Sequence, residues 1–128
     1  MNKMLVDTDI LIDYSKGFET DLGKVLGAYE RGEAEVYISS VNVVEFLNDK
    51  SLKDKDKYNQ ALEFLRIFLI VGIGRQVGEV AGKLLREAQV DYLGDALIAA
   101  CCLDQELQLM SRNKKHFAKV KGLIMYQA

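Results

Sequence analysis

The sequence predicts an α/β domain: a mostly parallel central sheet of about five strands with helices on both faces. Three observations predict it. Strand-like and helix-like segments alternate along the whole chain. Neither proline nor a Gly/Ser-rich linker breaks the 128 residues, so residues 1–128 read as one domain. Polar residues follow several strand-like runs and share one edge if those strands are parallel, where α/β sheets bind ligands.

Met4-Leu5-Val6 reads as a short buried strand. Thr8 or Asp9 can cap the helix after it, on which Ile10, Leu11 and Tyr14 share a face. Gly17 ends that helix. Leu22, Val25, Leu26 and Tyr29 give a second helix over Asp21 to Arg31, stopped by Gly32. Glu35 to Ser39 alternates as a strand. A third helix starts near Ser40 and carries Val44, Phe46 and Leu47. The charged stretch Asp49 to Lys57 reads as a solvated turn. Tyr58, Ala61, Leu62, Leu65 and Phe68 form a helical stripe, and Leu69 to Gly72 a strand. Val77, Val80, Ala81, Leu84 and Leu85 form another helical face. Gly94-Asp95 opens a strongly apolar helix to about Leu103. Leu107 to Ser111 alternates as a strand, Asn113 caps a short helix, and Leu123 to Tyr126 supplies a final strand.

A chain 49% hydrophobic and 28% charged is an ordinary globular sequence. Its net charge of -2 excludes a whole-molecule basic field, though not a local patch. Cys101 and Cys102 are neighbours in an apolar segment and read as buried thiols of a reducing compartment. The start lacks a signal-peptide pattern, and the longest apolar run, Ile67 to Ile73, is too short to span a membrane. The expectation is a cytoplasmic protein with no membrane contact.

Three carboxylates sit in or beside apolar runs. Asp7 follows Met4-Leu5-Val6, Glu45 lies within Val43-Val44-Glu45-Phe46-Leu47, and Asp95 precedes Ala96 to Ala100. An ionised carboxylate is costly to take out of water without a partner. If the three meet, they need a cation, and oxygen ligands suit Mg²⁺ or Mn²⁺. The single histidine, His116, does not make a nitrogen-rich site. Each acid also has an ordinary role open to it. Asp7 and Asp95 can cap a turn or a helix, and Glu45 can close a capping box with Asn42. Asp13 reads as exposed and Asp91 as structural.

Four motifs resemble those of PIN-domain ribonucleases, in the same order from about Met4 to Tyr126. Leu5-Val6-Asp7-Thr8-Asp9-Ile10-Leu11-Ile12-Asp13 resembles the family's opening. Ser40-Val41-Asn42-Val43-Val44-Glu45-Phe46 looks like its second motif. Asp95-Ala96-Leu97-Ile98-Ala99-Ala100 is similar to the third, the most specific. Leu109-Met110-Ser111-Arg112-Asn113-Lys114-Lys115-His116-Phe117 looks like the fourth. A chain this short resembles the VapC-type toxin of a toxin–antitoxin pair. Two positions depart from the pattern. Asp9 stands where Asn or Ser is more usual, and Asn113 where the fourth motif carries an acid.

The resemblance implies metal-dependent hydrolysis of RNA, leaving 5′-phosphate and 3′-hydroxyl ends. Asp7, Glu45 and Asp95 are then the metal ligands, and Asn113 a further catalytic position. Thr8, Asp9 and Ser111 support them, and Mg²⁺ or Mn²⁺ is the cofactor. Arg112, Lys114 and Lys115 begin a basic cluster, with Lys119 and Lys121, placed to touch RNA phosphates. A second cluster, Lys50 to Lys57, is mixed with acids and reads as a solvated face. The resemblance also implies a small antitoxin partner and a homodimer, for which Leu11, Tyr14 and Phe18 are candidate contacts.

Two other readings compete. Asp7-x-Asp9 after a strand also suggests a haloacid-dehalogenase-like phosphatase with Asp7 as covalent nucleophile. Leu11 stands where that motif wants Thr or Val, and a late paired-acid motif is missing. The second is a non-catalytic PIN-like binding module, against which the intact Asp7, Glu45 and Asp95 argue. A response-regulator receiver is excluded because Leu69 to Ile73 is followed by Gly74-Arg75 and not by an acid.

Overall fold

The first strand, β1 (Asn2–Val6), lies inside the sheet, and its side chains show how the molecule is layered. Successive side chains of a strand point to opposite faces. Leu5 joins one apolar core, and Met4 and Val6 join another. In the computed structural model, which describes residues 1–127, the sheet therefore has a core on each face.

The strands are β1, β2 (Ala34–Ser39), β3 (Leu69–Val71) and β4 (Gln108–Met110). They are all parallel, in the order β3-β2-β1-β4. One face is covered by α1 (Thr8–Ser15), α2 (Asp21–Glu30), α3 (Ser40–Leu47) and α4 (Lys55–Leu65), through residues such as Leu11, Leu22, Phe46 and Leu65. The other is covered by α5 (Arg75–Arg86), α6 (Leu93–Gln105) and α7 (Lys114–Phe117), through Val77, Leu84, Ile98 and Phe117. Among the described residues no helix is long and apolar enough to cross a membrane.

Two helix ends follow directly from sequence. Gly17 and Gly32 lie just past the ends of α1 and α2 with φ of 86° and 73°. That left-handed turn exposes the last carbonyls to capping and costs glycine nothing. α6 is apolar nearly all round, and Ala96, Ile98, Ala99, Ala100, Cys101 and Cys102 are all buried in it. Burial pushes the Cys101 thiol up to about 11 and raises that of Cys102 as well. Both are inert packing groups.

The elements depart from the sequence reading in several places. The expected fifth strand, Leu123 to Tyr126, is reduced to a single parallel bridge between Leu109 and Met125, so the sheet has four strands. The bridge is flanked by backbone hydrogen bonds from Leu109 N to Ile124 O and from Tyr126 N to Leu109 O. β4 itself has only three residues. Asp49 to Lys57 is not one turn. A 3₁₀ turn over Lys50–Lys53 is capped by Asp49, and Asp54 then caps α4, accepting from the amides of Asp56 and Lys57. Leu11 is fully buried in the core and is not a dimer contact, whereas Phe18 is exposed and Tyr14 half-buried. The cap of α1 is Asp7, not Thr8 or Asp9.

Candidate active site

The chain lays down β1, β2 and β3 toward one side and then returns to place β4 on the other side of β1. The strand order reverses between β1 and β4. The crevice beyond their carboxyl ends is where an open α/β sheet binds ligands. Asp7 and Ser111 are the residues that leave those two strands. The Asp7 amide donates to the Met110 carbonyl at 2.9 Å, so the two strand ends are tied at that point.

Asp7 is only 6% exposed. Its Oδ1 accepts from the Thr8 amide at 2.8 Å, as the cap of α1, and its Oδ2 from the Ser111 hydroxyl at 2.8 Å. The Ser111 hydroxyl accepts in turn from the Asn113 amide at 3.0 Å. Two hydrogen bonds thus fix the carboxylate without neutralising it. Burial pushes its pKa up to about 6, the Ser111 and Thr8 bonds pull against this, and the charges of Asp9 and Asp95 add to the rise.

Glu45 reaches the site through a relay that the sequence reading missed. Ser39 ends β2 and caps α3, and the capping box is closed by Asn42 on Ser39, not by Glu45 on Asn42. Asn42 is fully buried. Its Oδ1 accepts from the Ser39 amide and hydroxyl at 2.7 and 2.8 Å, and its Nδ2 donates to Thr8 Oγ1 at 3.0 Å. Thr8 Oγ1 then donates to Glu45 Oε1 at 2.6 Å. Glu45 itself is exposed, as is its neighbour Val44, despite the apolar run around them. The signal for Ser39 was present as Ser-x-x-Asn at a strand end. That Asn42 also holds Thr8, 34 residues earlier, is a tertiary fact.

Asp95 is the third residue of α6 and is not its cap, which is Tyr92 with no side-chain capping bond. The Asp95 carboxylate turns instead to His116, with Nδ1 and Oδ2 2.9 Å apart. Gly94 lies against Glu45, where an added Cβ would sit 3.6 Å from Oε2. Glu45 and Asp95 therefore flank the same opening, and Asp95 is near enough to Asp7 to raise its pKa.

Asp9 and Asp13 form the next ring of charge. Arg112 Nη1 is 3.1 Å from Asp13 Oδ2, and the Arg112 amide donates to Asp9 Oδ2 at 3.3 Å. Asp13 is half-buried, where the sequence suggested exposure, and Asp91 is exposed. Arg112 thus faces acids, and the free positive charge of its cluster lies on the exposed Lys114, Lys115, Lys119 and Lys121. The Asn113 side chain is exposed and makes no capping bond to α7.

The donor set fits a hard divalent cation. It consists of carboxylate and hydroxyl oxygens, and burial, with neighbouring carboxylates adding to it, raises the pKa of both Asp7 and Asp9. Asp9 Oδ1 is buried without a hydrogen-bond partner. Among the described residues no three acidic, His or Cys side chains close on one point. The acids line an opening and do not form a finished cage.

The chain is similar to known proteins in sequence and in fold. A family model for the PIN domain matches residues 4–123. A curated relative, Ribonuclease VapC1 of Methanocaldococcus jannaschii, is 33% identical over 132 residues, covering 98% of this chain and 88% of the relative. A toxin–antitoxin complex from Klebsiella pneumoniae contains a chain with a TM-score of 0.74 at 28% identity, covering 98% of this chain and 99% of that one. DNA-bound VapBC from Salmonella typhimurium gives a TM-score of 0.80 at 19% identity, covering 98% of each chain, a likeness of fold alone.

Proposed function

This chain belongs to the PIN-domain family, and from that premise we propose that it is a Mg²⁺- or Mn²⁺-dependent endoribonuclease, the toxin of a VapBC-type toxin–antitoxin pair. The observation that carries the reading is the gathering of Asp7, Glu45 and Asp95 around one opening at the reversal point of the sheet. Asp7, Glu45 and Asp95 would hold the cation. When bound, the cation supplies a water of lowered pKa and offsets charge on the phosphate. The chain's own residues do the rest. Ser111 and the Thr8 amide fix both oxygens of Asp7, and Thr8 Oγ1 aims Glu45. Arg112 offsets the charge of Asp9 and Asp13. Lys114 and Lys115 hold flanking phosphates without reading sequence. The exposed Asn113 adds a neutral carbonyl oxygen where a carboxylate would bind a cation more strongly.

A groove of about 830 Å³ runs beside Glu45 between α1, α3 and α4. Ile12, Tyr14, Phe46 and Phe64 give it an apolar floor, with Lys50 and Lys57 among its other lining residues. An amphipathic segment of a small antitoxin suits such a groove, and the toxin–antitoxin complex that this fold resembles supports that partner. We read the protein as a single-domain, cytoplasmic homodimer. Its two buried free thiols suit a reducing compartment.

The test is RNA cleavage by purified chain with added Mn²⁺. Asp7→Asn and Asp95→Asn are each expected to lower the rate by at least about 100-fold, the scale of an essential charged group, in variants that remain folded. Undiminished cleavage by both variants would overturn the assignment. Hydrolysis of small phosphomonoesters with trapping of phosphate on Asp7 would establish a phosphatase instead.

A further inference from the structure

His116 is the chain's only histidine, and the proposed mechanism leaves it unused. Three contacts fix its place. Its neighbour Phe117 is 2% exposed and anchors the short α7 in the core that α6 also builds. Its ring lies 5.4 Å from that of Tyr92, at an interplanar angle of 41°. Its Nδ1 is 2.9 Å from Asp95 Oδ2. Tyr92 and Asp95 are three residues apart at the start of α6, so one helix end holds the imidazole by two contacts.

The pair of Asp95 and His116 is partly sheltered, the Asp95 side chain being 18% exposed and that of His116 43%. An ionised carboxylate only accepts, so Nδ1 carries the hydrogen. The bond occupies one oxygen and leaves Oδ1 for a cation. Carboxylates that bind metals are commonly held in this way by an outer hydrogen-bond donor.

We propose that His116 is a positioning residue, whose Nδ1–H holds the Asp95 carboxylate in the orientation that binds the divalent cation, with the Tyr92 ring holding the imidazole. This rests on the metal-site reading above. His116 acts through Asp95 and does not itself touch the cation.

Two substitutions separate the roles of the ring. His116→Phe keeps an aromatic face against Tyr92 and removes the donor. His116→Asn removes the ring and keeps a short N–H donor. Mn²⁺ binding to the whole chain, without RNA, is measured by calorimetry, with thermal unfolding as the control for fold. His116→Phe is expected to weaken Mn²⁺ binding by about tenfold or more, and His116→Asn to stay within about threefold of wild type, the range of outer hydrogen-bond partners of metal ligands. Nitrogen NMR of the metal-free chain is read without assignment because the histidine is single. It should show the Nδ1–H tautomer in the wild type and its loss in Asp95→Asn.

Equal affinity of His116→Phe and wild type would overturn the proposal. So would equal weakening by Phe and Asn, which points to direct ligation or to packing, or a dominant Nε2–H tautomer in the wild type. Asp95→Asn serves as the reference for the site. If it binds Mn²⁺ as well as wild type, or if wild type binds none, the metal reading fails and takes this proposal with it. If Asp95→Asn loses binding while His116→Phe does not, the role of His116 alone falls.

Discussion

Asp7 concentrates the chemistry of the site in one side chain. It is buried, capped onto α1, bonded to Ser111, and crowded by Asp9 and Asp95. Its pKa of about 6 in the folded chain lies above the ordinary value of 3.8. The folded state thus holds this proton more tightly than the unfolded state. The stability this gives is fully present below about pH 3.8 and is lost as pH rises through about 6. A shift of about two units corresponds to about 3 kcal/mol at most. Urea denaturation of the metal-free chain should show stability falling as pH rises across that window. Asp7→Asn should flatten the fall and leave the variant more stable than wild type at pH 7. Saturating Mg²⁺ or Mn²⁺ should oppose the fall in the wild type, because the ion binds the folded, deprotonated site. A wild-type stability that rises from pH 4 to 7 without metal would contradict the assigned environment of Asp7.

At the scale of the element, the start of α3 governs Glu45. The Ser39–Asn42 capping box does two jobs: it satisfies the helix start and it turns Asn42 Nδ2 toward Thr8. Thr8 in turn holds the otherwise exposed Glu45. Asn42→Ala strips partners from Ser39 and from Thr8 together. It should destabilise the fold by about 1–3 kcal/mol, the cost of leaving buried polar groups unpaired. It should also slow RNA cleavage although all three acids remain. Denaturation midpoints and cleavage rates measured on the same preparation check both halves. The third acid depends on its element differently. Asp95 is set by α6, whose apolar surround buries the helix and leaves its first turn at the rim.

For the whole molecule, the return of the chain to place β4 beside β1 makes the site, since it brings Ser111 to Asp7 across 104 positions of sequence. The net charge of -2 conceals a local division, with acids in the crevice and lysines on α7 and beyond. That division suits a polyanion held at its backbone while one phosphate enters the acid site. Replacing Lys114 and Lys115 by alanine should weaken RNA binding across sequences. It should also reduce the slope of log affinity against log salt by about 1.4, given two contacts at about 0.7 per phosphate on a single strand. Fluorescence binding at several salt concentrations measures the slope, and an unchanged slope would place the RNA elsewhere.

Much was legible in the sequence because the relevant signals are local. Apolar patterning marked helices α1 to α6 and the four strands, and Gly17 and Gly32 marked two helix ends. The acids Asp7, Glu45 and Asp95, with Ser111, could be picked out by their place beside apolar runs. Hydrogen-bond partners were not legible. Glu45 and Asn42 suggested a capping box that the backbone gives to Ser39, Arg112 turned to Asp9 and Asp13, and the fifth strand shrank to one bridge. The physical reason is the same in each case. Periodicity and capping depend on residues within a turn of one another, which the sequence by itself determines. Which oxygen meets which donor depends on where distant elements come to rest. Only the tertiary structure decides that Thr8 serves Glu45 and that Asp95 turns to His116.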